Sequence, residues 1–264
     1  MEKLTVAKIG GNIIDNETAL KQFVADFSSI QGHKILVHGG GKLATELSAK
    51  LGIETQMVDG RRITDAETVK VVTMVYAGLI NKRIVAMLNA HGNTATGLCG
   101  ADAKLLPAIK RPVVDIDYGW VGDVLKQEVN TAFIHTLLQA NNIIVLAPIT
   151  ANANGDLLNI NADTVATTIA EAMSAEYETT LVYCFEKKGV LLSVDDDNSA
   201  IANINEASAE KLKQEGVINK GMLPKISNAI TASKNGVAKV LIGHAGDIKA
   251  LAKNMEGYGT LISQ

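Results

Sequence analysis

Short apolar runs alternate along the chain with longer stretches in which apolar positions recur every three or four residues, the signature of strands alternating with helices. Residues 4–9 read as a first strand ending at Gly10-Gly11. A helix over 18–30 follows, with Leu20, Phe23, Val24 and Phe27 on one face. Residues 34–38 make a second strand closed by Gly39-Gly40-Gly41, and a helix over 42–51 stops at Gly52. Thr64 and Glu67 have the spacing of a capping box, in which each side chain satisfies a free amide of the other. That box opens a long helix over 65–90, stopped near Gly92. A strand over 94–99, a hairpin over 113–126 turning at Tyr118-Gly119, a helix over 131–140 and a strand over 143–149 complete the first half.

In the second half Asn161 can cap a helix running to about residue 175. A strand at 180–185, helices near 207–215 and 222–234, a strand at 237–242 and a short last strand follow. No Pro- or Ser-rich linker divides the chain. The expectation is a single α/β domain over 1–264: a three-layer αβα sandwich on a mainly parallel central sheet. Two lobes, divided at about residue 150, would have a cleft between them. Sheets of this kind bind ligands at the carboxyl ends of their strands, where the glycine clusters fall.

Of the 264 residues 47% are hydrophobic, enough for a large core. A net charge of −3 leaves no basic excess of the kind a nucleic-acid partner needs. The run Asp195-Asp196-Asp197 continues into Asn198 and Ser199 and reads as a solvated turn. Cys99 and Cys184 each sit in apolar runs and read as buried free thiols, which with the lack of a signal peptide points to the cytoplasm. The longest unbroken apolar runs are of strand length, so no membrane association is expected.

Two strand-to-glycine junctions carry the candidate chemistry, Lys8-Ile9-Gly10-Gly11 and His38-Gly39-Gly40-Gly41. Glycine lets backbone approach a ligand closely, and amides of such loops at helix N-termini can hold phosphate oxygens. Ligand-free tight turns would look the same. A P-loop needs Ser or Thr after its lysine, and Leu43 follows Lys42, so that motif fails. Gly39-x-Gly41-x-x-Ala44 satisfies the loose dinucleotide fingerprint, with Asp59 about the right distance onward, which keeps a dehydrogenase open. The His-Gly-Gly-Gly run also suits a hydrolase oxyanion loop, but the chain has no Gly-x-Ser-x-Gly elbow. Lys8 stands inside an apolar strand, where its charge is costly unless it meets an anion or snorkels to water. Lys225 stands near a helix start. Asn159-Ile160-Asn161-Ala162-Asp163 brings three polar side chains to a helix N-terminus, more than one cap requires. Arg61-Arg62 lies in a polar loop, where a guanidinium is either solvated or the planar clamp of a carboxylate.

Taken in order, Lys8 to Gly11, Val37 to Gly41, Gly60-Arg61-Arg62-Ile63-Thr64, Asn159 to Asp163 and Gly221-Met222-Leu223-Pro224-Lys225 resemble the amino acid kinase family, and within it the N-acetylglutamate kinases. The resemblance runs over nearly the whole chain. It implies transfer of the γ-phosphoryl group of ATP, with Mg²⁺ bridging its phosphates, to the γ-carboxylate of N-acetyl-L-glutamate. This would be the second step toward ornithine and arginine. It further implies that Lys8 and Lys225, from opposite lobes, neutralise charge on the transferring group while Asp163 orients both. Gly10, Gly11, Gly39, Gly40 and Gly41 would line the phosphate-binding loops. Arg62 and Asn159, with Gly40 and Gly41, would hold the amino-acid substrate. Residues 1–150 would serve that substrate and dimerisation, and 151–264 would serve ATP. A glutamate side chain, with a pKa of about 4.3, is already ionised at neutral pH, so the reaction calls for positioning and positive charge rather than a general base.

The chain departs from the family pattern in two places. Where the family carries an Asp and a glycine turn, this chain has Phe185-Glu186-Lys187-Lys188-Gly189, which makes Glu186 the candidate nucleotide-site residue. Arg61 replaces a commonly apolar residue, and its charge would favour a more acidic acyl group, with N-succinyl-L-glutamate as the alternative acceptor. Arginine-inhibited hexameric relatives carry an extra helix before the first strand. The seven residues ahead of Lys8 leave no room for one, so an arginine-insensitive homodimer joined through residues 65–90 is expected. Another amino-acid or carbamate kinase, or a non-catalytic nucleotide-binding protein of the same fold, is the remaining alternative.

Overall fold

The computed structural model describes residues 1–58, 61–193, 195–218 and 222–263. Asp59, Gly60 and Gly221, which belong to the sequence motifs, lie outside the described residues. The class is the expected one, α/β with a large, mostly parallel sheet. Two compact units make up the chain, Met1–Ile35 with Ala166–Gln264, and Leu36–Val165.

In the first unit, strand Glu2–Ile9 runs parallel to Tyr177–Phe185 along its whole length, from Glu2 opposite Tyr177 to Ile9 opposite Cys184. Tyr177–Phe185 is in turn parallel to Lys239–His244. Thr260–Ile262 pairs antiparallel with Lys239–His244, and Asn203–Ile204 pairs parallel with Thr260–Ile262. The first strand's partner lies far along the chain, because parallel strands are joined by crossovers rather than tight turns. The start of the chain therefore groups with its last third. Leu4, Val6, Ala7 and Ile9 are buried, as are Leu181, Val182, Val240 and Leu241. Strands covered on both faces read as near-continuous apolar runs, and half-buried Lys8 is the charged interruption between Leu4 and Ile9. Helix Glu17–Ser28 is capped by Asn16, whose side chain accepts from the Ala19 amide at 3.0 Å, and it buries the predicted Leu20, Phe23, Val24 and Phe27.

In the second unit, Thr94–Cys99 runs parallel to Asn142–Ala147. The strand expected over 143–149 is two strands. Pro148, which has no amide to donate, interrupts it, and Ile149–Ala151 pairs antiparallel with Leu157–Asn159 instead. The expected hairpin at Tyr118-Gly119 is displaced as well. Its strands are Ala108–Lys110 and Gly122–Val124, joined by a long loop. Within that loop the backbone around Gly119 (φ +71) clasps Thr64: the Thr64 amide donates to Tyr118 O at 2.9 Å, and the Trp120 amide to Thr64 O at 2.6 Å. That clasp holds Thr64 buried, so the helix cap falls one residue later. Asp65 accepts from the Thr68 amide at 2.7 Å, and Glu67 pairs with Lys70 at 2.6 Å instead of closing a capping box.

The helix after that cap is α over Ala66–Thr73, π over Met74–Ile80 and α again over Asn81–Ala90. By length and composition Ala66–Ala90 could cross a membrane, which the strand-length runs of the sequence did not suggest. Its Val71, Val72, Val75, Ile80, Ile84 and Leu88 are buried, as in a core helix.

Candidate functional site

The first unit gathers the candidates at the C-terminal ends of two adjacent strands. Lys8 stands opposite Tyr183 and reaches toward the glycine turn, so that a methyl group placed on Gly10 would lie 3.7 Å from Lys8 Nζ. Gly11 begins the short helix Gly11–Asp15, too short to have shown as a period in the sequence. The next side chain, Asn12, donates to Glu186 Oε2 at 2.6 Å and ties that carboxylate to the turn. Lys225, in the first turn of helix Leu223–Lys234, holds Nζ 5.9 Å from the centre of the Phe185 ring, near the outer limit of a cation–π contact. Burial pushes the Cys184 thiol up to about 12 although the Lys8 charge acts to lower it, and both cysteines are the buried free thiols expected. Lys8, Gly10, Gly11, Glu186 and Lys225 thus belong to the same compact unit. The parallel pairing of Glu2–Ile9 with Tyr177–Phe185 brings the start of the chain into the unit that holds Lys225.

The second unit holds Gly39, Gly40, Gly41, Arg62, Asn159 and Asp163. Strand His33–His38 ends in the glycines, and helix Gly41–Lys50 starts at Gly40 without a side-chain cap. Its first-turn amides are the donors an anion would meet. Gly40 has φ +151, and a Cβ there would run into Ile80 and Tyr76, so only glycine fits. Arg62 is 8% exposed and fully engaged on one side. One terminal nitrogen donates to Gly41 O and to Thr45 Oγ1, both at 2.9 Å, and the other donates to Thr55 Oγ1 at 3.1 Å. Tyr76 faces the same guanidinium; burial raises its phenol pKa while Arg62 acts to lower it. Thr64 Oγ1 donates to Arg62 O and accepts from Asn159 Nδ2, both at 3.1 Å. Gly41, Arg62, Asn159 and three threonines therefore form a single polar network. Asp163 lies in the first turn of helix Ala162–Met173, where a carboxylate suits the dipole, and its amide donates to Asn161 Oδ1 at 2.7 Å.

Sequence reasoning misses several of these partners. Thr45 stands one turn after Gly41 and is detectable by that spacing. Thr55 gives no signal, and Thr64 has the spacing of a cap. Tyr76 depends on the π-helical register, which no period reveals. His38, 0% exposed beside the glycines, stands out in the sequence only as part of a motif.

Residues 3–244 match the model of the amino acid kinase family. An acetylglutamate kinase of Phocaeicola vulgatus is 50% identical over 263 residues, covering 100% of this chain and 99% of the relative. One of Cytophaga hutchinsonii is 53% identical over 261 residues, covering 98% of each. The solved structure of N-acetylglutamate synthase from Neisseria gonorrhoeae, complexed with coenzyme A and N-acetyl-glutamate, is similar with a TM-score of 0.82 at 23% identity. It covers all of this chain, which spans 59% of that synthase, and the likeness is one of fold.

Proposed function

The chain belongs to the amino acid kinase family, and on that premise we propose that it phosphorylates the γ-carboxylate of N-acetyl-L-glutamate with ATP, giving N-acetyl-L-glutamyl 5-phosphate on the route to arginine. The observation that carries this reading is full-length identity of about half to relatives named acetylglutamate kinase. In the proposed mechanism Arg62 and Asn159 hold the α-carboxylate end of the acceptor, so that its ionised side chain attacks without a base. Amides of the two glycine turns and the ammonium groups of Lys8 and Lys225 take up charge on the transferring group, and Asp163 orients the lysines. Such donors act by preorganisation, since the two reactants repel each other until positive charge is in place.

ATP use follows from the kinase family. Mg²⁺ would arrive with the nucleotide: among the described residues no group of three or more His, Cys, Asp or Glu could hold a metal by itself, and Mg²⁺ commonly relies on substrate phosphates with one or two carboxylates. Glu186, fixed by Asn12, is the carboxylate proposed near the nucleotide, in the part of the chain after residue 150. The homodimer is proposed to form on helix Ala66–Ala90, where Met74 and Leu79 are 53% and 61% exposed. The proposed location is the cytoplasm. The test is a coupled assay with ATP, Mg²⁺ and either N-acetyl- or N-succinyl-L-glutamate, trapping the acyl phosphate with hydroxylamine. Product from the acetyl acceptor supports the reading. Preference for the succinyl acceptor would assign Arg61 the acyl group, and no product from either would leave a nucleotide-binding protein.

A further inference from the structure

The glycine loop is gripped from behind by two buried polar side chains that have no part in the proposed mechanism. His38 and Asn81 are both 0% exposed. His38 Nδ1 lies 2.9 Å from Gly39 O, which can only accept, so Nδ1 carries the proton. Nε2 then accepts from Asn81 Nδ2 at 3.2 Å. Asn81 is anchored in turn: Nδ2 also donates to Val145 O at 3.0 Å, and Oδ1 accepts from Lys82 Nζ at 3.1 Å. Lys82 Nζ further donates to Gly97 O at 2.7 Å. Room for Asn81 exists because residue 97 is glycine; a Cβ there would collide with Asn81 Oδ1.

We infer that His38 and Asn81 are positioning residues that fix the Gly39–Gly40 peptide plane and so aim the Gly40 amide at the transferring phosphoryl group. This rests on the proposed phosphate-binding role of that loop. The peptide is trans, so its C=O and N–H point in opposite directions across one plane. Holding the Gly39 oxygen inward on His38 turns the Gly40 N–H away from the interior. The relay is tied at its far end to carbonyls of the paired strands Asn142–Ala147 and Thr94–Cys99. The π-helical stretch supplies the geometry. A π turn takes up more residues than an α turn and rotates the face presented by the next turn. The stretch ends at Ile80, which packs against Gly40, and Asn81 is the next residue. A buried polar pair is costly compared with apolar packing. Here its last contact is on the loop rather than within the core.

Isosteric variants separate this role from a merely structural one. In His38→Asn the amide nitrogen replaces Nδ1 and keeps the donor to Gly39 O. In His38→Gln the amide oxygen takes the place of Nε2 and still accepts from Asn81, but the donor to Gly39 O is lost. Transfer to the acetyl acceptor would be measured per folded molecule, with thermal melts of each protein and imidazole ¹⁵N spectra of the wild type. His38→Gln and Asn81→Ala are expected to lower kcat by about tenfold or more, as for groups displaced by an ångström or less. The acceptor KM should stay within about twofold of wild type. His38→Asn, which keeps the donor to Gly39 O but not the Asn81 contact, should lose clearly less of kcat than His38→Gln, and the wild-type spectrum should show a protonated Nδ1 with a bare Nε2. Unchanged kcat in His38→Gln and Asn81→Ala would overturn the inference, as would equal losses in His38→Asn and His38→Gln or a protonated Nε2. If His38→Gln does not fold, Asn81→Ala and the wild-type spectrum still decide. A wild type that forms no acyl phosphate defeats the functional reading itself, whereas an active wild type with unaltered variants defeats this inference alone.

Discussion

Replacing Arg62 by lysine keeps the charge and removes the fork, which makes it a sharp test of the proposed carboxylate clamp. The guanidinium donates to Gly41 O and Thr45 Oγ1 from one nitrogen and to Thr55 Oγ1 from the other. A single ammonium can stand near one of those positions. If it keeps Gly41 and Thr45, the bond to Thr55 is lost at about 1.5–3 kcal/mol of stability, the range for hydrogen bonds to charged groups. A carboxylate accepting from the guanidinium N–H groups that these partners leave over would lose at least one charged hydrogen bond, a similar cost. At 1.36 kcal/mol per factor of ten, that raises the acceptor KM by about ten- to a hundredfold. The α-carboxylate is bound alike in ground and transition states, so kcat should change little. Initial rates over a range of N-acetyl-L-glutamate at saturating ATP give both constants, and urea melts give the stability change. A variant destabilised as calculated, with unchanged KM and lowered kcat, would show that Arg62 acts on the reacting centre or only on the fold, and the clamp would be refuted.

Three further outcomes are expected from the same geometry. Lys8→Ala and Lys225→Ala should each lower kcat by roughly 10²–10³-fold, about 2.7–4 kcal/mol by analogy with a lost oxyanion donor, with substrate binding less affected; steady-state kinetics with near wild-type kcat in either would remove that lysine from the mechanism. Gly40→Ala should be destabilised by about 2–5 kcal/mol, from a positive φ and from overpacking against Ile80 and Tyr76, which thermal melts should register as a fall of Tm by roughly 5–15 °C. Burial lowers the His38 pKa from 6.5 to about 4. Above pH 6.5 both states are neutral at this ring, while below it the unfolded chain binds a proton the native state refuses, so stability falls as pH drops from 6.5 to about 4 by a total on the order of 3 kcal/mol. Urea melts of His38→Asn across that window should lack this share of the slope, and an identical slope would contradict the assigned burial effect.

Elements with an uninterrupted period or a clear stop were legible in the sequence. Glu2–Ile9, Thr94–Cys99 and the helix Glu17–Ser28 stand where the apolar spacing puts them. The misses have two causes: tertiary pairing that overrides a local signal, and a local signal masked by its neighbours. Thr64 has the neighbours of a helix cap, but the loop around Gly119 claims its backbone and moves the cap to Asp65. The expected strand over 143–149 fails at Pro148, a local signal that a continuous apolar run concealed. The site behaves the same way. Its charged and glycine residues are conspicuous because charge in an apolar strand, or repeated glycine after one, needs explaining. Thr45, Thr55 and Tyr76 are ordinary residues in ordinary places until the chain brings Arg62 to them.

Those ordinary residues bear on how such a site works. Where the nucleophile is already ionised, no proton transfer limits the rate, and acceleration has to come from donors held in place before the reactants meet. Flexible side chains on flexible loops cannot supply that, because ordering them during the reaction spends the binding energy they would contribute. The network around Arg62 and the His38–Asn81 relay remove that freedom in advance by tying a guanidinium and a peptide plane to threonines, strand carbonyls and a π-helical turn. Substitutions in the two sets should therefore diverge: loss of the Arg62 fork appears in acceptor KM, and release of the Gly39 oxygen appears in kcat. Identical kinetic signatures for both would mean that the loop and the clamp move as one body, with a single role in place of two.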